Sequence, residues 1–343
     1  MSQITHVPLA RLEQTVTDIF VRAGMTAEGA AAMAETIVAG ERDACKSHGI
    51  YRIEGCLRTI RAGKVRAGAV PVLTTDSSAI VRVDAAGGYG PGAFRCGLPA
   101  LIERTRALGL AALVINDCTH FSALWHEVEA LTDAGLAALA MCPSYATVAP
   151  AGGIRPLLGT NPMAFGWPRP GPTPYVFDFA TSVTARGEIE LHRRAGTPLP
   201  EGQALDAEGH PTTDPEAALA GAMLPFGGHK GSAIATMIEL LAGAMIGDFN
   251  SSEALDWLGT TALLPRHGEL ILAFDPARFA GGRADPLARA EGLLDAIVGQ
   301  GARLPSQRRF EARVRARADG VALTEAEIAL LDRLLRDGSD AVA

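Results

Sequence analysis

The chain has 343 residues, 48% hydrophobic and 20% charged, which describes a globular protein with enough apolar mass for a large core in two or three lobes and excludes a disordered chain. A net charge of −7 with no long basic run argues against nucleic acid or an anionic membrane as the main partner and points to a small molecule. The first residues lack a basic segment followed by an apolar one, and no apolar stretch reaches membrane-spanning length, so a cytoplasmic protein with no membrane partner is expected.

The first seventy residues read as helices. Leu9, Leu12, Val16, Ile19 and Phe20 form one apolar stripe over residues 8–23, ending before Gly24. A second helix is expected over 26–42 with Thr26 as its cap, and a third over 49–62. From residue 70 the pattern turns mixed. Strands are expected at Ala79–Asp84, Ala111–Asn116, Ala137–Cys142, Tyr175–Phe179 and Leu270–Phe274, with helices near 93–108, 121–134 and 232–246. Residues 192–215, rich in Pro, Gly and Asp, read as a long exposed loop. A basic turn, Arg303–Arg309, precedes a closing helix over Leu323–Leu335. Three regions are expected: a helical region over 1–70, an α/β lobe from 71–118 with 300–343, and a cofactor-binding α/β lobe over 119–299. The five cysteines form no Cys-x-x-Cys pair, so buried free thiols are expected rather than disulfides or zinc ligands. Arginine outnumbers lysine 28 to 3, and two of the lysines, Lys46 and Lys230, sit beside the motifs below.

The segment Lys46-Ser47-His48-Gly49-Ile50-Tyr51-Arg52 places an imidazole and a guanidinium four residues apart. On a helix that spacing points both to one face, where Arg52 can grip a carboxylate and His48 can exchange a proton beside it. The same residues also read as a plain helix start capped by Ser47. Gly88-Tyr89-Gly90-Pro91-Gly92-Ala93 imitates a dinucleotide fingerprint, but the preceding strand alternates in polarity and Pro91 removes an amide that phosphate would need. Phe226-Gly227-Gly228-His229-Lys230-Gly231-Ser232, opening an apolar helix, is a better anion cradle or an ordinary glycine turn. His120 to Leu124 mark a strand-to-helix handover. His120 and His126 are six apart with no carboxylate completing a set, so no metal is expected. Asp178, ending a strand before small polar residues, either meets a ligand or caps a turn.

Taken in order, Ser47-His48-Gly49, His120-Phe121, Leu158-Gly159-Thr160-Asn161-Pro162, Phe177-Asp178 with Ala180-Thr181-Ser182, Ala185-Arg186-Gly187 and Gly227-Gly228-His229-Lys230-Gly231 resemble the malate/L-lactate dehydrogenase-like family of NAD(P)-dependent oxidoreductases. The phrases around His120 and Lys230 are most similar to its reductases of Δ1-piperideine-2-carboxylate and Δ1-pyrroline-2-carboxylate. The resemblance implies an α/β fold with a non-Rossmann mixed sheet, flanking helices and a helical N-terminal region, assembled as a homodimer. It implies NADPH, or NADH, as cofactor and a cyclic imino acid or a 2-keto acid as substrate. His48 would donate the proton with Ser47 beside it, and Glu188 would stand where an aspartate completes that relay. Arg52, Thr160, Arg186 and Gly187 would hold the substrate. The cofactor would be held by His120, Phe121, Ser122, Ala123 and Leu124, by Asp178, Phe179 and Ala180, by His229 and Lys230, and by Arg303, Arg308 and Arg309. A 2-hydroxy acid such as malate, lactate or ureidoglycolate is the alternative substrate.

Overall fold

The computed structural model describes residues 4–171 and 173–342. The N-terminal region contains β1 (Ile4–Val7), α1 (Leu9–Arg22), α2 (Ala27–Arg42), a 3-10 turn (Lys46–His48) and α3 (Tyr51–Arg61). The expected stripe of α1 is buried at Leu12, Val16, Ile19 and Phe20. Thr26 caps α2 by accepting from the Gly29 amide at 3.1 Å. The third helix starts two residues later than its pattern suggests, because Gly49 leaves the helical region with ψ −144°. His48 therefore belongs to a separate turn rather than to the helix that carries Arg52.

The middle of the chain supplies β2 (Val72–Thr75), β3 (Ile80–Asp84), α4 (Gly90–Leu108), β4 (Leu110–Thr119), α5 (Trp125–Asp133), β5 (Ala137–Met141), β6 (Met163–Trp167) and β7 (Tyr175–Phe179). An excursion follows through α6 (Arg186–Ala195), β8 (Ala204–Leu205), β9 (Pro211–Thr212), α7 (Pro215–Ala220) and β10 (Ala222–Met223). The expected loop over 192–215 is thus interrupted by the end of α6 and by the two short strands β8 and β9. The chain returns through α8 (His229–Ala242), α9 (Ser251–Leu258) and β11 (Arg266–Phe274), then α10 (Pro276–Ala280), α11 (Pro286–Val298), α12 (Gln307–Asp319), β12 (Val321–Thr324) and α13 (Glu325–Asp337).

Seven strands form one mixed sheet in the order β2-β3-β4-β11-β5-β6-β7. Only β3 and β4, joined by α4, run parallel; every other pair is antiparallel. Strands β4 and β11 are central and buried on both faces, which explains their nearly continuous apolar runs. Leu101 of α4 and Val128 and Leu131 of α5 cover one face against Leu113, Ile115 and Ile271. Ile238 and Ala242 of α8 cover the other against Val114, Met141 and Leu270.

Two expected boundaries are corrected. The division at 118/119 falls inside this single sheet, because β11 hydrogen-bonds to both β4 and β5. The C-terminal segment packs mainly on the N-terminal helices: β12 pairs with β1, and Leu331 and Leu334 join Leu12, Phe20 and Ile53 in one core, while Phe310 of α12 joins the core over the sheet. All five cysteines are free, and Cys56, Cys118 and Cys142 are buried. No single helix among the described residues is long and apolar enough to cross a membrane.

Candidate active site

Strand register brings separated motifs to one end of the sheet. Thr119 lies opposite Arg266, Leu270 opposite Met141, Met141 opposite Met163, and Met163 opposite Phe179. His120, Cys142, Thr160, Asp178 and His267 therefore sit within a residue or a few of the same edge. Ligands commonly bind there, where strands stop and backbone turns away.

The 3-10 turn carrying Ser47 and His48 lies over this edge, pinned by a close backbone approach. A Cβ on Gly40 of α2 would lie 2.6 Å from the His48 carbonyl oxygen, a backbone atom that leaves room only for glycine, and one on Gly49 would collide with the buried Glu41 side chain. Glu41, buried, accepts from the Ile50 amide at 2.8 Å and pairs with Lys46, which also reaches Glu327 of α13. Lys46 thus ties the turn to the rest of the fold. Ser47 Oγ lies 3.1 Å from His48 Nδ1, leaving Nε2 for a substrate, and Arg52 Nε donates to the Ser47 carbonyl at 2.7 Å. Burial and the neighbouring Arg52 push the His48 imidazole down to about 3, so it is neutral before a substrate arrives.

His120, buried, faces the same space. Burial, then His267, His48 and Arg52, bring its imidazole down to about 3, which places His48, Arg52 and His120 within electrostatic reach of one another. Arg186 joins them through Tyr145. Burial pushes the Tyr145 phenol up while Arg186 and Arg52 both pull it down. Tyr145 gave no sequence signal, since it lies outside every motif.

Hydrogen bonds stitch the remaining segments together. Thr160 accepts from the Thr181 amide at 2.8 Å, and the Thr181 carbonyl accepts from the Phe226 amide at 2.9 Å. Asn161, wholly buried with φ +32°, donates to Glu239 at 2.7 Å and accepts from Ser251 at 3.1 Å, so α8 and α9 hold the Gly-Thr-Asn turn. Phe179 packs edge-on against Phe226, carrying the end of β7 to the glycine loop. In that loop Gly227 and Gly228 have φ of +57° and +60°, Gly228 precedes α8 without a side-chain cap, and His229 and Lys230 are exposed. The Lys230, Gly231 and Ser232 amides already bond to the Gly227, Phe226 and Gly228 carbonyls, so what suits the phosphates of a nicotinamide cofactor is the N-terminal end of α8 together with the ammonium of Lys230, which has no partner among the described residues.

Other expectations fare differently. Asp178 Oδ2 accepts from the Trp125 amide at 2.9 Å, so a carboxylate already occupies the first turn of α5 and that amide is closed to phosphate. Burial raises this carboxyl to about 6 despite that bond. Glu188 is exposed on the first turn of α6 and makes no hydrogen bond to Ser47 or His48 among the described residues. The basic turn splits. Arg303 and Arg308 are exposed, whereas Arg309 is buried, bonded to Asp43 at 2.8 Å and to Glu129, with its guanidinium 4.2 Å over Trp125. Arg309 is corrected to a structural cation, because its buried guanidinium is already paired with two carboxylates and stacked on Trp125, so its charge is compensated within the fold. Ser306 Oγ, bonded to the Val176 carbonyl at 2.9 Å, keeps the turn beside β7.

A seven-stranded mixed sheet with a histidine and arginines gathered at its edge defines a non-Rossmann oxidoreductase scaffold. The chain belongs to the family described as malate/L-lactate dehydrogenase, whose profile matches residues 7–332. It is 67% identical to a Δ1-pyrroline-2-carboxylate reductase of Agrobacterium fabrum, over 100% of both chains. It is 60% identical to a Δ1-pyrroline-2-carboxylate/Δ1-piperideine-2-carboxylate reductase of Pseudomonas aeruginosa, over 86% of this chain and 89% of that one. Among solved structures it resembles Δ1-piperideine-2-carboxylate reductase from Pseudomonas syringae pv. tomato, with a TM-score of 0.92 and 41% identity over 96% of this chain and 99% of that one. The protein is an oxidoreductase of this family.

Proposed function

We propose that the protein reduces cyclic imino acids, Δ1-pyrroline-2-carboxylate to L-proline and Δ1-piperideine-2-carboxylate to L-pipecolate, with NADPH. The observation that carries this reading is the cluster of neutral His48 beside Arg52 and within electrostatic reach of His120, in a chain that aligns end to end with a reductase of the first substrate. Arg52 offers a planar fork to the substrate carboxylate, with Arg186 and Thr160 completing the grip. Docking of that carboxylate cancels the repulsion that Arg52 exerts on a protonated His48, so the imidazole gains proton affinity as the substrate settles. His48 Nε2 then holds the proton of the ring nitrogen. The glycine loop with His229 and Lys230, residues 120–124 and the exposed Arg303 and Arg308 would hold the cofactor. The bound nicotinamide supplies hydride to the imine carbon. Residues of the chain contribute orientation and charge, which fix one face of the ring toward the hydride. The reading includes a cytoplasmic homodimer, which analytical ultracentrifugation and cell fractionation check. The central test is cofactor oxidation with a panel of cyclic imines and 2-keto acids. A higher kcat/KM for a 2-keto acid such as oxaloacetate or pyruvate refutes the imine assignment in favour of a 2-hydroxy-acid dehydrogenase.

A further inference from the structure

Behind His120 lies a group of polar side chains that the reaction above does not use. Glu269 of β11 and Glu127 of α5 are buried, at 0% and 1% exposure, in the layer between sheet and helix. With His120 they present ligand-type atoms that all lie within 4.8 Å of one another. Both oxygens of Glu269 and Oε2 of Glu127 have no hydrogen-bond partner, and Glu269 Oε2 stands 3.9 Å from His120 Nε2. The groups facing Glu269 are Cys118 from β4, His120 just beyond it, Glu127 from α5, Cys142 after β5 and His267 on its own strand, with Asp178 and Asp248 farther out. None of these is a fixed cation.

Two carboxyls side by side in a dry interior without a cation cannot both ionise, because each charge opposes the other and neither is solvated. We propose that Glu269 is a positioning residue kept a neutral acid by burial, and that its O–H closes the 3.9 Å gap to Nε2 of His120, beside the Ser122 hydroxyl at 3.4 Å, fixing that imidazole in the tautomer whose Nδ1 carries the hydrogen. Burial drives both carboxyls in this direction, Glu269 to about 8 and Glu127 well above the usual range, while His120 stays neutral and able to accept. A neutral donor and a neutral acceptor satisfy each other without stranding a charge. Above the point where Glu269 ionises, the donor is lost and a buried anion appears beside the cofactor side of the site. The inference rests on His120 belonging to the active site.

The test is kcat/KM for Δ1-pyrroline-2-carboxylate with NADPH between about pH 6 and 10, in the native enzyme and in Glu269→Gln and Glu269→Leu. The leucine variant, which cannot donate, is expected to lose about tenfold at neutral pH, and glutamine, whose amide N–H imitates the acid, to recover most of that loss. The native profile is expected to fall on the alkaline side near pH 8, and Glu269→Gln to shift or remove that fall. Superimposable native and Glu269→Gln profiles overturn the proposal, as does a stoichiometric divalent metal found in the native enzyme and absent from Glu269→Gln. His120→Ala, titrated with NADPH by fluorescence and assayed for turnover, separates the two readings. Native affinity and turnover in that variant remove His120 from the site and the proposal with it, whereas an impaired His120→Ala with an unshifted Glu269→Gln profile refutes the role of Glu269 alone.

Discussion

Replacing Gly40 by alanine sets helix propensity against packing, and the structure says which wins. Gly40 lies inside α2, where alanine is favoured over glycine by about 1 kcal/mol in an unobstructed helix. The added methyl, however, would lie 2.6 Å from the His48 oxygen, 2.7 Å from the His48 carbonyl carbon and 2.9 Å from the Gly49 nitrogen. These are backbone atoms and cannot swing aside as a side-chain end can. Restoring ordinary contact requires a shift of about 0.8 Å of the turn that carries the proton donor. Overpacking of this kind costs about 1–3 kcal/mol, so net stability should fall by roughly 0–2 kcal/mol. Activity should fall much further, by about 10- to 100-fold in kcat, because a misplacement near 1 Å at reacting groups is that costly. Gly55 in α3 is the control: its Cβ would meet nothing closer than Leu264 at 3.7 Å, so Gly55→Ala should raise stability by about 0.5–1 kcal/mol with native turnover. Thermal melts and steady-state kinetics on both variants decide the matter. Gly40→Ala with kcat within twofold of native would refute the claim that this backbone contact sets the position of His48.

His48→Ala should leave NADPH affinity near native while lowering kcat by roughly two to four orders of magnitude, and stopped-flow hydride transfer at native speed would remove His48 from the mechanism. The basic turn should divide by function. A double Arg303→Ala, Arg308→Ala variant should lose NADPH efficiency more than NADH efficiency, whereas Arg309→Ala should leave that ratio unchanged and destabilise the fold by about 1–3 kcal/mol, since Asp43 and Glu129 each lose one charged partner but keep Arg313; equal loss of both cofactors in the double variant counts against 2′-phosphate recognition. Burial would raise the Asp43 carboxyl, yet Arg313 and Arg42 hold it down to about 2. A depressed carboxyl contributes stability that is complete above its unfolded value near 3.8 and is lost as pH falls toward 2, an effect of about 2 kcal/mol. Denaturant melts across that window should show the loss in the native protein and a flatter profile in Asp43→Asn, and identical slopes would dismiss the ion cluster as its source.

Much of the fold was legible because local periodicity reports burial directly. The stripe of α1, the cap at Thr26 and the apolar runs of β4, β5 and β11 all appear where their patterns place them. The short strands β1 and β2 did not announce themselves, since their side chains are largely exposed and only backbone pairing makes them strands. The grouping of strands was likewise beyond the pattern, because hydrogen bonding between β11 and β4 joins residues about 150 apart in the chain and depends on register rather than on composition.

The same division runs through the site. The chemistry-bearing residue types, His48 with Arg52, the Gly-Thr-Asn turn and the glycine loop before α8, were set by sequence alone, because proton exchange, carboxylate grip and phosphate approach each need particular side chains or the lack of one. Tertiary structure decided which of several arginines stay free. Arg308 and Arg309 are adjacent and chemically identical, but one turn of α12 exposes the first and drives the second between Asp43 and Glu129. It also decided that Glu188 is exposed and that Glu127 and Glu269, from a helix and a strand far apart in sequence, meet in a dry layer behind His120. Protonation state and availability are properties of surroundings, and surroundings exist only once the chain has closed on itself.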